Sequence, residues 1–372
     1  MLIGVPKEIK NHEYRVGLTP SSVRELTTRG HAVLVEHNAG AGIGAADSAY
    51  EKAGAKIAAH AGEVFLRADM IIKVKEPQAA ERAMLRNDQI LFTYLHLAPD
   101  PDQCRDLVNS GAVCIAYETV TQPGGGLPLL APMSEVAGRM AIQAGAHCLE
   151  RVYGGMGVLL GGVAGVPPAR IVILGAGVVG TNAAQMAVGT GAQVVVMDRS
   201  VDALRRMDRL LGARVMTIFS HRDNVEEQVL SADLVVGGVL IPGAAAPKLV
   251  TREMVTAMKA GAVIVDVAID QGGCCETARA TTHAEPTYIV DEVVHYCVAN
   301  MPGGVPRTST YALNNATLPF ILQLAERGWQ AALQTNTHLR NGLNVCRGKV
   351  TYREVAEALG LPFQAAEEAV KP

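Results

Sequence analysis

The sequence predicts an α/β protein built from two doubly wound domains, and three features indicate this. Short runs of β-branched and other apolar residues alternate with helical patterns twice along the chain, as expected for parallel sheets covered by helices. The length of 372 residues suits two domains of the usual size, ~100–200 residues each. Hydrophobic residues make up 49% of the chain and charged residues 19%, which is enough apolar material for two buried cores.

The first alternation occupies the N-terminal third of the chain. Its apolar runs predict strands at residues 2–5, 32–35, 70–74, 90–94 and 113–117, and helices at 21–28, near 46–53 and at 101–109. The Pro- and Gly-rich stretch at 122–128 marks a domain boundary. A long helix over 133–151, starting after Pro132, is expected to connect the domains.

The second alternation predicts strands at 171–174, 194–197, 215–218, 234–236, 263–266 and 287–290. Beyond residue 304 the pattern becomes mainly helical, with helices expected at 309–327, 330–335 and 350–358. This tail is too short for a domain, so we expect it to pack back on the first one. The predicted domains are therefore residues 1–128 with 305–372, for substrate and catalysis, and residues 129–304, for cofactor binding.

Composition argues against several classes of protein. A formal net charge of −3 and the lack of a long Lys/Arg run argue against nucleic-acid binding. The seven cysteines form no CxxC pair, so we expect reduced thiols in a cytoplasmic protein, with neither a disulfide framework nor a bound metal. The start of the chain does not resemble a signal peptide. Residues 171–197 carry no charge, but two short strands around an Ala-rich helix explain them better than a membrane span.

The strongest motif is a glycine-rich turn between a buried strand and a helical stretch at 181–188. Gly175, Gly177 and Gly180 form G-x-G-x-x-G, the fingerprint of a Rossmann-like dinucleotide-binding unit. The first glycine permits the tight turn, the second lets the backbone approach a pyrophosphate, and the third allows close contact between helix and strand. The alternative is a purely structural turn. The surrounding β-α-β pattern over 170–198 favours nucleotide binding.

Asp198 ends the second strand of this unit, at about the ~20-residue spacing expected for the acidic ligand of a ribose. Its carboxylate can accept hydrogen bonds from both ribose hydroxyls and would repel a 2′-phosphate. The sequence therefore predicts NAD rather than NADP as the cofactor, although the neighbouring Arg199 leaves room for some NADP use.

Three polar residues of the first domain are candidates for a site at the carboxyl ends of the strands, where open α/β sheets place their ligands. His96 and Lys75 follow predicted strands, and Arg15 lies in the loop after residues 10–14. His96 could exchange protons near neutral pH. Lys75, on the same strand face as Lys73 by the two-residue period, could polarise a carbonyl. Arg15 could clamp a carboxylate through two hydrogen bonds. Taken singly, each is better explained by a structural role: His96 as a loop histidine, Lys75 as a solvated strand end and Arg15 as part of a surface ion pair.

Asp270 is the corresponding candidate in the second half of the chain. It lies in a Gly-rich loop that follows the predicted strand at 263–266, at the edge where a nicotinamide would lie. A carboxylate there could stabilise an iminium or orient a water molecule. The alternative is an aspartate that only caps a turn.

These features occur together in an order that resembles the L-alanine dehydrogenase family over nearly the whole chain. The matching stretches are MLIGVPKEIKNHEYRVGLTP (1–20), IKVKEP (72–77), LFTYLHLA (91–98), APMSEVAGRM (131–140), DVAIDQGGC (266–274), YCVANMP (296–302) and TSTYALNNATLP (308–319). Several such blocks in the same order are far more specific than any single motif.

The resemblance implies reversible oxidation of L-alanine to pyruvate and ammonia with NAD, in a cleft between the two domains. It implies that Arg15 and Lys75 bind the substrate, that His96 is the acid/base and Asp270 the second catalytic group, and that the chain forms a homo-oligomer, typically a hexamer. The cofactor contacts it implies are Ser134, Gly175, Gly177, Val178, Val179, Gly180, Asp198, Ser220, Val239, Leu240, Val267, Ala268, Ile269, Asp270, Arg279, Val298, Ala299, Asn300 and Met301.

Two alternatives stay open at this point. The NAD-binding α-subunit of proton-translocating transhydrogenase is similar in fold and motif, and would make the chain a coupling module for a membrane partner. The complete set of Arg15, Lys75, His96 and Asp270 argues against it. A catalytically inactive NAD-binding protein would retain the glycine turn but would not need that set.

Overall fold

The computed structural model describes residues 1–239 and 246–371 and divides the chain into two units. Unit 1 comprises Met1–Met133 and Val305–Pro372, and unit 2 comprises Ser134–Gly304. The predicted divisions fall after residues 128 and 304. Leu240, one of the predicted cofactor contacts, lies outside the described residues.

The strands alternate with helices along both units. In chain order the strands are β1 (Leu2–Val5), β2 (Ala32–Glu36), β3 (Lys56–Ala58), β4 (Met70–Ile72), β5 (Ile90–Thr93), β6 (Val113–Ala116), β7 (Arg170–Leu174), β8 (Gln193–Asp198), β9 (Met216–Phe219), β10 (Leu234–Gly237), β11 (Val263–Asp266), β12 (Thr287–Val290), β13 (Val293–Tyr296), β14 (Leu343–Cys346) and β15 (Lys349–Val350).

The α-helices cover both sheets and fill the C-terminal tail. They are α1 (Pro20–Thr28), α2 (Asp47–Lys52), α3 (Ala61–Arg67), α4 (Ala79–Arg82), α5 (Pro101–Ser110), α6 (Ala131–Cys148), α7 (Val178–Gly189), α8 (Val201–Leu211), α9 (Arg222–Ser231), α10 (Arg252–Ala257), α11 (Pro306–Arg327), α12 (Trp329–Thr335), α13 (Thr337–Arg340), α14 (Arg353–Leu359) and α15 (Ala366–Ala369). Within the described residues, no helix is long and apolar enough to cross a membrane.

Each unit contains one sheet with the same central strand order. In unit 1 the parallel strands run β3-β2-β1-β4-β5-β6, and in unit 2 they run β9-β8-β7-β10-β11-β13. Both are the 3-2-1-4-5-6 order of doubly wound dinucleotide-binding folds, in which the chain reverses direction between the first and fourth strands. The prediction of two doubly wound α/β units is confirmed. It also locates a switch point in each sheet, where ligands of such folds bind.

Antiparallel strands extend each sheet at one edge, and sequence reasoning missed most of them. β14 pairs with β6 and with β15, while β12 pairs with β13, all antiparallel. The predicted helix over 350–358 was wrong at its start, because Val350 belongs to β15 and α14 begins at Arg353. The cause is a two-residue hairpin turn at Arg347 and Gly348, both at positive φ, which returns the chain along the sheet.

Helix starts also differ from the prediction. α6 begins at Ala131 rather than at residue 133 and ends at Cys148, because Pro132 is tolerated in a first turn that needs no N–H donor. α7 begins at Val178, directly after Gly177, rather than at residue 181. The earlier start brings the unpaired N–H groups of the helix close to the glycine turn.

The central strands of both sheets are buried on both faces, whereas the edge strands β9 and β12 are partly exposed. In β7, Ile171 and Ile173 pack in one core cluster, while Val172 and Leu174 pack in another on the opposite face. This two-residue alternation between apolar clusters explains why the strand reads as a continuous hydrophobic run. All seven cysteines are buried, in agreement with the expectation that they pack as small apolar side chains.

Candidate functional site

Arg15, Lys75 and His96 all lie beyond the carboxyl ends of parallel strands of unit 1. Arg15 follows β1 and Lys75 follows β4, the two strands between which the chain reverses direction, and His96 follows the neighbouring β5. Lys75 and His96 come together on one carboxylate, that of Glu76: Lys75 Nζ lies 4.0 Å from Oε2, and His96 Nδ1 lies 3.7 Å from it. The switch point of unit 1 is therefore rich in cationic groups.

The Arg15 guanidinium is buried and oriented by a carboxylate. Its Nε donates to Glu13 Oε1 at 2.7 Å, and its Nη2 donates to Oε2 at 2.5 Å. Burial opposes the charge, but Glu13 outweighs it and raises the pKa of Arg15 above its ordinary value, so the group stays cationic. Glu13 engages the Nε side of the guanidinium, and on the other side Met133 Sδ lies 3.1 Å from Nη1.

Lys73 does not share the environment predicted for it. β4 ends at Ile72, so neither lysine belongs to the strand. Lys73 is fully buried, and its Nζ donates to Glu8 at 3.0 Å and to Glu81 at 2.6 Å. Burial disfavours this ammonium, yet the two carboxylates outweigh burial and raise its pKa. Lys73 is thus a structural ion-pair residue, whereas the Lys75 side chain keeps 14% of its surface exposed.

His96 occupies a strained backbone position with an accessible ring. Its φ is +49°, a left-handed conformation that non-glycine residues seldom adopt. Glu118 stabilises this turn, because its Oε1 accepts from the backbone N–H of His96 at 2.7 Å and from that of Leu95 at 3.1 Å. The imidazole stacks on Tyr94, with ring centroids 5.7 Å apart. With 44% of its side chain exposed, the ring can reach a ligand.

Tyr94 links His96 to Arg15. Burial raises the pKa of Tyr94 against the lowering effect of the Arg15 charge, so the phenol stays protonated. Its hydroxyl donates to the carbonyl of Leu129 at 2.5 Å. This bond fixes the aromatic ring on which His96 stacks.

The glycine turn of unit 2 has the geometry that a pyrophosphate needs. Gly175 adopts a φ of +104°, and a Cβ at Gly180 would lie 1.8 Å from the Gly175 carbonyl oxygen. A Cβ at Gly177 would meet nothing within 4 Å. The protein itself therefore requires glycine at positions 175 and 180, whereas the open space at Gly177 suits a group bound from outside.

The Asp198 carboxylate is fixed beside this turn. Its Oδ2 accepts from the backbone N–H of Ala176 at 2.7 Å, and its Oδ1 accepts from that of Ser200 at 2.7 Å. Each carboxylate oxygen has two acceptor sites, so both can still accept from a ribose hydroxyl. The exposed Arg199 follows directly in the chain.

Asp270 lies in a short 3-10 helix, Val267–Gln271, directly after β11, and its side chain is exposed. The N-terminus of this helix is capped by Asp266, which is fully buried. Asp266 accepts from the backbone N–H groups of Ala268 at 3.2 Å and Cys274 at 2.8 Å. Burial raises the pKa of Asp266 against these hydrogen bonds. The cap fixes the segment that carries Asp270.

Most other predicted cofactor contacts follow carboxyl ends of the unit 2 sheet. Ser220 follows β9, Val239 follows β10, and the segment with Val267, Ala268 and Ile269 follows β11. Two positions differ in location: Ser134 lies in α6, and the Arg279 guanidinium packs 4.0 Å above the Tyr288 ring. The group that follows β13 comprises Val298, Ala299, Asn300 and Met301, and Val178 and Val179 open α7.

Sequence reasoning missed three carboxylates that hold the predicted residues in place. Glu13 orients Arg15, Glu76 lies between Lys75 and His96, and Glu118 holds the His96 turn. Glu13 and Glu76 belong to matching stretches quoted above, but no spacing rule gave them a role. No sequence pattern pointed to Glu118, because the backbone N–H groups that it binds are 22 and 23 positions away in the chain.

The fold and these groups define an α/β protein in which unit 2 has the dinucleotide-binding turn and unit 1 presents cationic groups at its switch point. The chain belongs to the Alanine dehydrogenase/PNT family. The N-terminal domain of that family matches residues 4–137, and its C-terminal domain matches residues 141–353.

Comparison with individual relatives distinguishes an alanine dehydrogenase from a transhydrogenase subunit. The alanine dehydrogenase of Halomonas elongata is 60% identical, over 98% of this chain and 99% of its own. A solved L-alanine dehydrogenase is 52% identical with a TM-score of 0.94, covering 97% of this chain and 99% of its own. The transhydrogenase of Sinorhizobium meliloti is 27% identical with a TM-score of 0.81, covering 95% and 99%. The similarity therefore favours the dehydrogenase branch.

Proposed function

We propose that this chain catalyses the NAD-dependent, reversible oxidation of L-alanine to pyruvate and ammonia. The observation that carries the proposal is the cluster of Arg15, Lys75 and His96 at the switch point of unit 1, in a chain whose other unit has the dinucleotide fingerprint. The full-length relatives named alanine dehydrogenase support the same activity. The predicted class of enzyme is confirmed over the transhydrogenase alternative.

The residues of unit 2 fit NAD. The open space at Gly177 and the N-terminus of α7 would receive the pyrophosphate, and Asp198 would bind the ribose. When bound, NAD supplies the acceptor for the hydride that leaves the α-carbon of the substrate. The relatives support NAD as the cofactor.

Arg15 and Lys75 would bind the substrate. Arg15 is buried, cationic and held by Glu13, so its orientation is set before a ligand arrives. Preorganisation of this kind lowers the entropic cost of holding a carboxylate. The partly exposed Lys75 ammonium would bind the carbonyl oxygen of pyruvate and stabilise negative charge that develops there.

His96 would move the protons. Its exposed ring can accept a proton from the water that attacks the imine carbon, and can return it to the nitrogen that leaves as ammonia. Asp270 of unit 2 would be the second catalytic group. The location of the reaction in a cleft between the domains stays a prediction.

Incubation with L-alanine and NAD at alkaline pH tests the activity directly. We expect the absorbance of NADH to rise, and the same assay with L-serine and 2-aminobutyrate would measure the substrate selectivity. His96→Ala should abolish turnover while NADH binding stays nearly intact, and His147→Ala, in an exposed part of α6, should match the wild type. Absence of NADH formation by the wild type would refute the proposed function, whereas an active His96→Ala variant would refute only the role of His96.

Assembly and location are proposed on separate grounds. Large apolar side chains are exposed on unit 2 at Val152, Leu159 and Val163, with exposed fractions of 86%, 65% and 62%, which supports a homo-oligomer. The resemblance suggests a hexamer, and light scattering on the purified chain would test it. The buried thiols support the proposal of a cytoplasmic protein.

A further inference from the structure

The Glu76 carboxylate lies among three cationic or titratable groups. Its Oε1 accepts from Lys10 Nζ, while its Oε2 lies 3.7 Å from His96 Nδ1 and 4.0 Å from Lys75 Nζ. Only 15% of the Glu76 side chain is exposed. Oε2 itself is buried, and no donor among the described residues lies within hydrogen-bonding distance of it.

A buried carboxylate oxygen without a donor is costly. Of the two nearby groups, His96 Nδ1 is the closer, and its ring is the more exposed of the two side chains. A small rotation of the imidazole on its Tyr94 platform would close the gap. The geometry thus provides Oε2 with one obvious partner.

We propose that Glu76 is a positioning residue that accepts a hydrogen bond from His96 Nδ1–H, so that Nε2 is the nitrogen that exchanges protons with the substrate. The proposal rests on the function proposed above. A histidine with one nitrogen bonded to a carboxylate is fixed in both tautomer and orientation. The same carboxylate holds the Lys75 ammonium in place by charge.

The proton balance follows from this arrangement. As water attacks the imine carbon, the new C–O bond forms, one O–H bond of the water breaks, and the C=N π electrons move to nitrogen. Nε2 takes the released proton, and the imidazolium is stabilised by Glu76, which keeps its negative charge. Nε2 then returns the proton to the substrate nitrogen.

Glu76 is suited to remain ionised through these steps. Burial raises the pKa of this carboxyl group, but His96, Lys75 and Lys10 together outweigh burial and hold the pKa below its ordinary value. Besides Glu76, the groups around His96 are the Tyr94 ring, the Lys75 ammonium and Glu118, which binds the backbone N–H. Among the two carboxylates, only Glu76 faces a ring nitrogen.

Three variants test the proposal. Glu76→Gln removes the charge with little change of shape, and Lys10→Met removes the other partner of Glu76 without touching His96. Glu63→Gln is the matched control, since Glu63 pairs with Arg67 on the exposed face of α3. The measurements are the pH profile of kcat/KM, the NADH dissociation constant, and the rate of deuterium exchange at the His96 ring C2–H against pH by mass spectrometry.

We expect Glu76→Gln to move the pH midpoint of His96 exchange, and the acidic limb of kcat/KM, about one pH unit lower. We expect kcat to fall roughly 10- to 100-fold, as for loss of a residue that orients a catalytic group, with NADH affinity within about twofold of the wild type. Lys10→Met should leave the midpoint in place or raise it, and Glu63→Gln should change nothing.

An unchanged His96 midpoint in Glu76→Gln, or an equal downward shift in Lys10→Met, would overturn the proposal. The exchange measurement does not require turnover. A wild type that fails to oxidise L-alanine therefore refutes the proposed function alone, whereas an active wild type with an unchanged midpoint in Glu76→Gln refutes the role of Glu76 alone.

Discussion

The three glycines of the nucleotide turn should respond differently to alanine, because the space around each differs. A Cβ at Gly180 would lie 1.8 Å from the Gly175 carbonyl oxygen, far inside van der Waals contact, so the backbone of α7 or β7 has to move. Overpacking of this kind costs about 1–3 kcal/mol and occasionally more. For Gly180→Ala we expect about 3 kcal/mol loss in the free energy of unfolding.

Gly177→Ala should leave the apoprotein intact and weaken the cofactor. Its Cβ would meet nothing within 4 Å, and its backbone, at φ −78°, suits any residue. The free energy of unfolding should therefore change by no more than about 0.5 kcal/mol. The added methyl group prevents the close approach of the pyrophosphate. Loss of a hydrogen bond to a charged group costs about 1.5–3 kcal/mol, which weakens NADH roughly 10- to 100-fold.

The assay combines two measurements on purified variants. Urea denaturation without cofactor gives the free energy of unfolding, and fluorescence titration gives the NADH dissociation constant. Gly189→Ala is the control for cofactor binding, because Gly189 lies in the last turn of the same helix with open space around it. The NADH dissociation constant should stay at the wild-type value, while the free energy of unfolding should stay the same or rise by up to about 1 kcal/mol, because alanine favours a helix over glycine. Wild-type NADH affinity in Gly177→Ala, or wild-type stability in Gly180→Ala, would refute the reasoning.

Three further predictions concern charged and titratable groups. Lys73→Met leaves the buried carboxylates of Glu8 and Glu81 without a cation and should cost about 3–5 kcal/mol of unfolding free energy; a loss under about 1 kcal/mol in urea denaturation would contradict this. Burial lowers the pKa of His295 in the folded protein. The stability that the neutral side chain contributes is therefore present above about pH 6.5 and is lost as the pH falls through the pKa of the folded state. The loss is at most about 1.4 kcal/mol of unfolding free energy per pH unit. Urea denaturation at several pH values should show that the free energy of unfolding falls less steeply with decreasing pH in His295→Gln than in the wild type. Equal slopes in the two proteins would show that His295 does not contribute. Asp198→Ala should weaken NAD and relax the rejection of NADP in steady-state kinetics, and an unchanged ratio would place the discrimination elsewhere.

The parts of the fold that were predictable depend on local patterns. β1 and β11 have the predicted bounds, because a strand buried on both faces leaves a continuous apolar run in the sequence. β13 was missed because its hairpin turns at Asp291 and Glu292, both at positive φ. Asp-Glu is not one of the residue pairs that normally indicate a two-residue hairpin turn. The turn is therefore recognised only from the pairing of β12 with β13 in the structure.

In the candidate site, too, the residues that could be predicted are those that depend on a local pattern. Gly175, Gly177 and Gly180 were readable because a pyrophosphate turn needs fixed spacing along one stretch of chain. Lys73 and Lys75 are two positions apart and looked equivalent in the sequence. The structure separates them, because Glu8 and Glu81 meet one of them in the core.

By itself the sequence determined the α/β class, the nucleotide fingerprint and which side chains follow which strands, and it predicted that Asp198 sets the preference for NAD. Each of these depends on residues close together in the chain. Only the tertiary structure decided how charge is distributed around those side chains. Glu118 and His96 are 22 positions apart, and Glu8 and Lys73 are 65 apart. Such pairs form because the strands of a doubly wound sheet bring their carboxyl ends to one edge, which no local pattern records.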